Sequence, residues 1–408
     1  MKDIRLNKYA RLLVELGVNV KRGEYLIVEA PVDSYALVRE VTKIAFEKGA
    51  KDVIVFYVDS YVDKERCLAV SNEMISEVKS WQKDSRVKYL KEGASSLLIK
   101  GTYPYLFNEV SPKASASLQT FINDLRNNIR HYIAKDGIKW CIASYPNQLW
   151  ADTLFPNDEN AFNKLLEIMY DICRVTYDNN PIEDWKKHFY KLGEYSTYLN
   201  KIKLDRLHFK NSLGTDLEIG LHQNHSWSGG MQKDEEFDNV CNIPTEEIAT
   251  CPDKYRVNGV VYASRPLELG GMIIEDFAFT FKDGAVVDVS APKNVELLKD
   301  IVNKDSNSKY LGEVALVEVK TPISQSGLLF YNTLYDENAS CHLALGKGFP
   351  GLLNVNPMDI NEWDKVNLNH SSIHVDFMFG TNDMDIIGYD IDGKEYQIFK
   401  NGNFVEVK

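Results

Sequence analysis

Apolar positions recur at one spacing in the first half of the chain and at another in the second. Leu6, Ala10, Leu13 and Leu16 fall about one helical turn apart, and Gly17 follows as a C′ stop. Residues 25–28 (Tyr-Leu-Ile-Val) form a short apolar run, the pattern of a buried strand. Asp33-Ser34 then offers an N-cap, Leu37, Val38, Val41 and Ile44 mark one helical face, and Gly49 ends it. Residues 52–58 read as the next strand. This strand–helix–strand unit predicts a right-handed crossover and a parallel sheet. Residues 97–99 and 140–143 add central strands, and 73–91, 111–133, 159–175 and 181–199 read as helices.

Near residue 200 the period falls to two. Asp283-Gly284, Asp392-Gly393 and Asn401-Gly402 are hairpin signals between alternating runs. One helix interrupts at 293–303, carrying Val295, Leu297, Leu298 and Val302. The expected organisation is an α/β N-terminal domain with a mostly parallel sheet, residues 1–200, and a β-rich α+β domain, residues 201–408. No glycine-rich phosphate loop follows the first strand, so the doubly wound pattern implies no nucleotide.

Composition narrows the function. The 408 residues are 44% hydrophobic and 26% charged, which supports a substantial core and excludes a disordered chain. The 47 Lys and Arg are spread among 59 Asp and Glu for a net charge of −12, so no basic face for nucleic acid is expected. No apolar run is long enough to span a membrane, and the opening residues lack the apolar segment of a secretory signal. The six cysteines are scattered without a C-x-x-C pair, against both a disulfide framework and a zinc–thiolate site. A reducing cytoplasm fits them.

Acidic and imidazole groups cluster in four short motifs of the second half: Asn242-Ile243-Pro244-Thr245-Glu246-Glu247, the Gly312–Val317 run, Asp336-Glu337-Asn338-Ala339-Ser340-Cys341-His342, and His374-Val375-Asp376. On a strand, His374 and Asp376 point to one face and present an imidazole beside a carboxylate. Taken alone, that spacing reads first as a polar pair turned to solvent on a half-exposed strand. Glu337 and His342 sit between apolar runs, where a buried carboxylate needs a cation or a hydrogen-bonded partner; a turn or capping role is the alternative. Glu313 stands at the mouth of an expected buried strand. Glu246-Glu247 could also open a helix. Together Glu247, Glu313, Glu337, His342, His374 and Asp376 form an oxygen and nitrogen donor set without thiolate, suited to zinc, cobalt or manganese. Six donors exceed the needs of one ion, and two ions sharing a bridging carboxylate would use them all.

At these four motifs, and in the opening RLNKYARLLVELGVNVKRGEYLIVEAP, the sequence resembles the aminopeptidase T/aminopeptidase S family of dinuclear metallopeptidases. The resemblance implies an N-terminal α/β domain, a metal-bearing C-terminal domain and a homodimer. It implies release of N-terminal amino acids from peptides with two divalent ions (Zn, Co, Mn or Mg). It places Glu247, Glu313, Glu337, His342, His374 and Asp376 as metal ligands, with Glu313 bridging. Glu246, beside Glu247, is the candidate to carry a proton to the leaving amine, although neighbours on a strand face opposite ways. One position departs from the family: Phe349 stands where it has a tyrosine. The alternative reading is therefore a non-catalytic or impaired metal- or peptide-binding homologue.

Overall fold

The apolar runs of the first half pair as a parallel sheet. Strands β1 (Tyr25–Pro31), β2 (Asp52–Val58), β3 (Ser95–Lys100) and β4 (Trp140–Ser144) lie in the order β2-β1-β3-β4. Leu26, Ile27 and Val28 are almost completely buried on the central strand, worth about 1.5–3 kcal/mol each in apolar transfer. Helix Tyr35–Glu47 packs on β1 and β2, and helix Ser80–Lys91 packs on β1. The computed structural model describes residues 3–136, 138–231, 238–269, 272–354, 363 and 365–406. The chain forms two units, 1–185 with 236–244 and 186–235 with 245–408.

Two local expectations in this unit change. The first helix runs Ile4–Leu12 and widens into a π-helical turn at Leu13–Gly17. Gly17 does not take the left-handed conformation of a C′ stop; a Cβ there would lie 2.9 Å from the Cys141 sulfur, so close packing is what requires glycine. Asp33-Ser34 forms a 3₁₀ turn, and the Ser34 side chain caps nothing. The Asp33 carboxylate instead accepts a 2.9 Å hydrogen bond from the Tyr103 hydroxyl.

The second unit is antiparallel. Its strands are β5 (Arg206–Lys210), β6 (Asp216–Leu221), β7 (Ile248–Thr250), β8 (Pro252–Tyr262), β9 (Leu267–Leu269), β10 (Met272–Ile274) and β11 (Ala278–Lys282). They continue as β12 (Ala285–Ser290), β13 (Leu311–Leu316), β14 (His342–Gly346), β15 (His374–Met378), β16 (Asp385–Tyr389), β17 (Glu395–Lys400) and β18 (Asn403–Phe404). Eight form one sheet in the order β12-β11-β8-β6-β5-β16-β17-β18, four form another in the order β15-β14-β13-β7, and β9 pairs with β10. All three turn dipeptides join neighbouring strands as expected. At Asp283-Gly284 both residues have positive φ, 49° and 84°, the backbone of a tight hairpin turn. The core between sheets is aromatic: Phe377 on β15 meets Phe279 at 5.1 Å and Phe277 at 6.0 Å between ring centres. Among the described residues no helix is long and apolar enough to cross a membrane.

Candidate metal centre

The four-stranded sheet places the candidate ligands by alternation. On its central pair, Ala315 lies opposite His342 and Glu313 opposite Ala344. On the next pair Ala344 lies opposite Asp376, Gly346 opposite His374 and His342 opposite Met378. Ala315 also faces Ala249 of β7, two residues after Glu247. Side chains two apart on a strand share a face, so Glu313, His342, His374 and Asp376 project from one side, with Ala249, Ala315, Ala344 and Gly346 between them. The opposite face carries Val314, Leu343 and Phe377 into the core. Glu313 is thus the third residue of its strand, inside the sheet rather than at its mouth.

That facing depends on an irregularity. Leu311 pairs with Leu345 while Glu313 pairs with Ala344, so Gly312 is one residue extra. Such a bulge re-aims the side chain that follows it. A Cβ on Gly312 would lie 2.4 Å from the Lys347 carbonyl group, so only glycine fits against the neighbouring backbone. Glu313 and Asp376 stand two strand spacings apart, about 9.5 Å of backbone, with only the methyl of Ala344 between them, and their carboxylates converge.

The donor atoms converge in two groups, Glu247–Glu313–His342 and Glu313–His374–Asp376, each with its atoms within 4.8 Å of one another. Glu313 belongs to both. His342 Nε2 is 3.2 Å from a Glu247 oxygen; His374 Nε2 is 3.4 Å from Glu313 and 3.2 Å from Asp376. The other ring nitrogen of each histidine faces a backbone carbonyl, His374 Nδ1 to Lys347 at 2.7 Å and His342 Nδ1 to Ser340 at 3.3 Å. Donation from Nδ1–H to a carbonyl fixes the ring and turns the Nε2 lone pair inward, the arrangement of a metal-binding imidazole.

Electrostatics agree. Burial pushes the Glu313 carboxyl up, its bond with His374 pulls it down, and the Glu247 and Asp376 charges push it up again. Burial opposes charge on His342, yet Glu247, followed by Asp376 and Glu337, holds its pKa up at about 10. His374 is raised well above the ordinary imidazole value by Asp376 and Glu313 against its burial. Three carboxylates, Glu247, Glu313 and Asp376, converge on two imidazoles, so the set carries an excess of negative charge. A divalent cation fits it in both charge and donor chemistry.

Two expected residues stand apart from these groups. Glu337 opens a 3₁₀ turn, Glu337–Ala339, and its carboxylate is 3.5 Å from the Asn338 amide. Its field reaches His342, but it joins neither donor group. Glu246 precedes a short strand, not a helix, and has the opposite parity to Glu247. Its carboxylate lies 3.3 Å from His188 Nε2, on helix Pro181–Ile202, and its N–H donates to Asn338 Oδ1 at 2.7 Å. Phe349 is 40% exposed, and its ring centre lies 4.8 Å from that of His374. Sequence reasoning missed His188, Asn338, Gly312 and Ala344 as contributors. The last three lie in or beside the motifs, where alternation of small residues with ligands was the available signal; His188, an isolated imidazole on a polar helix, gave none.

Comparison with known proteins gives the centre its context. Residues 2–404 match the thermophilic metalloprotease family, M29. The chain is 40% identical over 404 residues to aminopeptidase AmpS of Bacillus subtilis (strain 168), with 98% of each chain covered. It is 38% identical over 405 residues to aminopeptidase 2 of Geobacillus stearothermophilus, covering 98% of this chain and 97% of that one. The solved structure of wild-type AmpT from Thermus thermophilus superposes with a TM-score of 0.91 at 32% identity, over 99% of both chains. Full-length similarity of this kind, in sequence and in fold, shows that the chain belongs to the M29 family of thermophilic metalloproteases.

Proposed function

We propose that the chain is a metal-dependent aminopeptidase, removing N-terminal amino acids from peptides with two divalent cations. The observation that carries this reading is the sharing of Glu313 by two donor groups on one sheet face. In it Glu247 and His342 would hold one cation, His374 and Asp376 would hold the other, Glu313 would serve both, and Glu337 would complete the set from its turn. Bound there, the cations would supply a water made nucleophilic near neutral pH and polarise the scissile carbonyl. The chain's own part is orientation. The carbonyls of Lys347 and Ser340 hold the imidazoles, and the Gly312 bulge aims Glu313.

Proton transfer to the leaving amine is assigned to Glu246, held by His188. A free substrate amine, bound by a cation or a carboxylate, would set the register of the first peptide bond and make the enzyme an exopeptidase. The relatives' names support the activity; the cation identity, zinc, cobalt, manganese or magnesium, is part of the proposal. So are a homodimer, which light scattering would test, and a cytoplasmic setting, which suits six unpaired cysteines.

The test is chelation and add-back. Pure protein stripped with EDTA should lose hydrolysis of unblocked aminoacyl substrates and regain it as two equivalents of cation bind. Acetylated substrates should stay intact throughout. Chelator-resistant hydrolysis would falsify the metal reading, and equal turnover of acetylated substrate would remove the exopeptidase assignment alone.

A further inference from the structure

The first unit holds a cleft of about 630 Å³ at the carboxyl ends of β1, β2 and β3, where Pro31, Val58 and Gly101 line it. The volume suits a small molecule. The position does too. The chain leaves β1 for β2 on one side and returns to β3 on the other, and the crevice beyond such a reversal is where open parallel sheets bind ligands.

The cleft is built around a buried ionic group. Glu29 accepts from Arg86 at 3.0 Å and from Arg126 at 2.6 Å. Two guanidiniums thus share one carboxylate, an excess of one positive charge. Arg86 is only 6% exposed, its Cζ lies 4.0 Å over the Phe56 ring, and its Nε–H is buried with no acceptor. A buried donor left unpaired costs about 1–3 kcal/mol, which an incoming oxygen would recover. Asp63, on helix Ser60–Ala69, lines the same cleft, half-buried, and its carboxylate makes no hydrogen bond or ion pair among the described residues. Burial pushes its carboxyl up against the field of Arg66. Aromatic walls complete the cleft, Phe56, Phe121 and Trp81 among them.

An anionic oxygen acceptor, a cation and an apolar body are wanted in one cavity. We propose that this cleft binds a free amino acid or short peptide as its zwitterion, the carboxylate at Arg86 and Arg126, the ammonium at Asp63 and an apolar side chain against Phe56, Phe121 and Trp81. The cleft's lining residues belong to the first unit and the candidate ligands to the second, and the proposal does not depend on the peptidase reading.

Isothermal titration calorimetry of the full chain with L-phenylalanine tests it without turnover. Saturable binding is expected. 3-Phenylpropionate, which lacks the ammonium, and phenethylamine, which lacks the carboxylate, should each bind at least about tenfold more weakly, since each loses a charge-assisted contact. Trp81→Ala, at a side chain 69% exposed, and Asp63→Asn should weaken L-phenylalanine by about tenfold while leaving peptide hydrolysis unchanged. Absence of saturable heat would overturn the proposal. So would an affinity indifferent to both substitutions, which would assign the binding to the metal centre, or equal affinity for all three compounds.

Discussion

The phenyl ring of Phe349 lies beside the imidazole of His374, 4.8 Å between centres and tilted by 58°. Its own backbone is fixed against Cys251, whose sulfur accepts from the Phe349 N–H at 3.4 Å and donates to its carbonyl at 3.3 Å. The ring is therefore held next to the proposed cations and offers them no oxygen. Phe349→Tyr should raise kcat with little change in bound cation, because a hydroxyl at the ring edge would meet developing negative charge most strongly in the transition state. Steady-state kinetics at saturating cation decides; an unchanged kcat in a folded protein would show the hydroxyl to be dispensable.

Gly312→Ala should cost the centre its bridge. The added methyl would overlap the Lys347 carbonyl group, and the bulge would shift to relieve it. The expected stability loss is about 1–3 kcal/mol, as for other overpacked positions. Bound cation measured by elemental analysis should fall further than at an ordinary core substitution such as Val314→Ala. Retention of full cation content would mean that the bulge does not aim Glu313.

Ala344→Val tests the gap between Glu313 and Asp376. The position is fully buried, and the larger side chain would occupy the space in which the carboxylates converge. A folded chain by circular dichroism with little or no bound cation is the expected result. Normal cation content would contradict the placement of the ions on this face.

Glu246→Gln separates two roles. If Glu246 carries a proton, kcat should drop roughly 10²–10⁴-fold with bound cation unchanged. If the Glu246–His188 pair serves to position Glu247, cation affinity should fall instead, and His188→Ala should reproduce the loss.

Asp305 anchors the approach to β15. It accepts from the N–H and hydroxyl of Ser372 at 2.8 and 2.7 Å and from the hydroxyl of Ser371 at 2.9 Å. Burial opposes its charge, but these bonds and that from the Asn307 N–H hold the carboxyl far below its usual range. A depressed native pKa means stability that is complete above the unfolded value of about 3.9 and is lost as pH falls toward the native one. Asp305→Asn should cost about 1.5–3 kcal/mol near neutrality, as for a hydrogen bond to a charged group. Unfolding measured from pH 7 downward should show the gap to wild type closing in acid; a constant gap would refute the linkage.

Much of this was legible because each strand announces itself locally. Residues 25–28 and 52–58 read as buried strands from their apolar runs, and the three Asp-Gly and Asn-Gly pairs marked hairpins. The ligand motifs were visible because His374 and Asp376 carry their own geometry in a spacing of two. Pairing across distance was not visible. β7 joins β13 from more than sixty residues away, and nothing in either segment specifies that register. The Gly312 bulge changes facing without changing composition. Gly17 looked like a helix stop because its true reason, the Cys141 sulfur, lies far along the chain.

The floor of methyl groups and glycine beneath the centre has a consequence for folding. Ala249, Ala315, Ala344 and Gly346 add no donor of their own, and Glu247, Glu313, His342, His374 and Asp376 meet only when β13, β14 and β15 pair and β7 brings in Glu247 just ahead of its first residue. Whatever binds there binds the paired sheet and not the separated strands. By mass action the melting temperature then becomes a gauge of free cation, rising with the logarithm of its concentration above the dissociation constant.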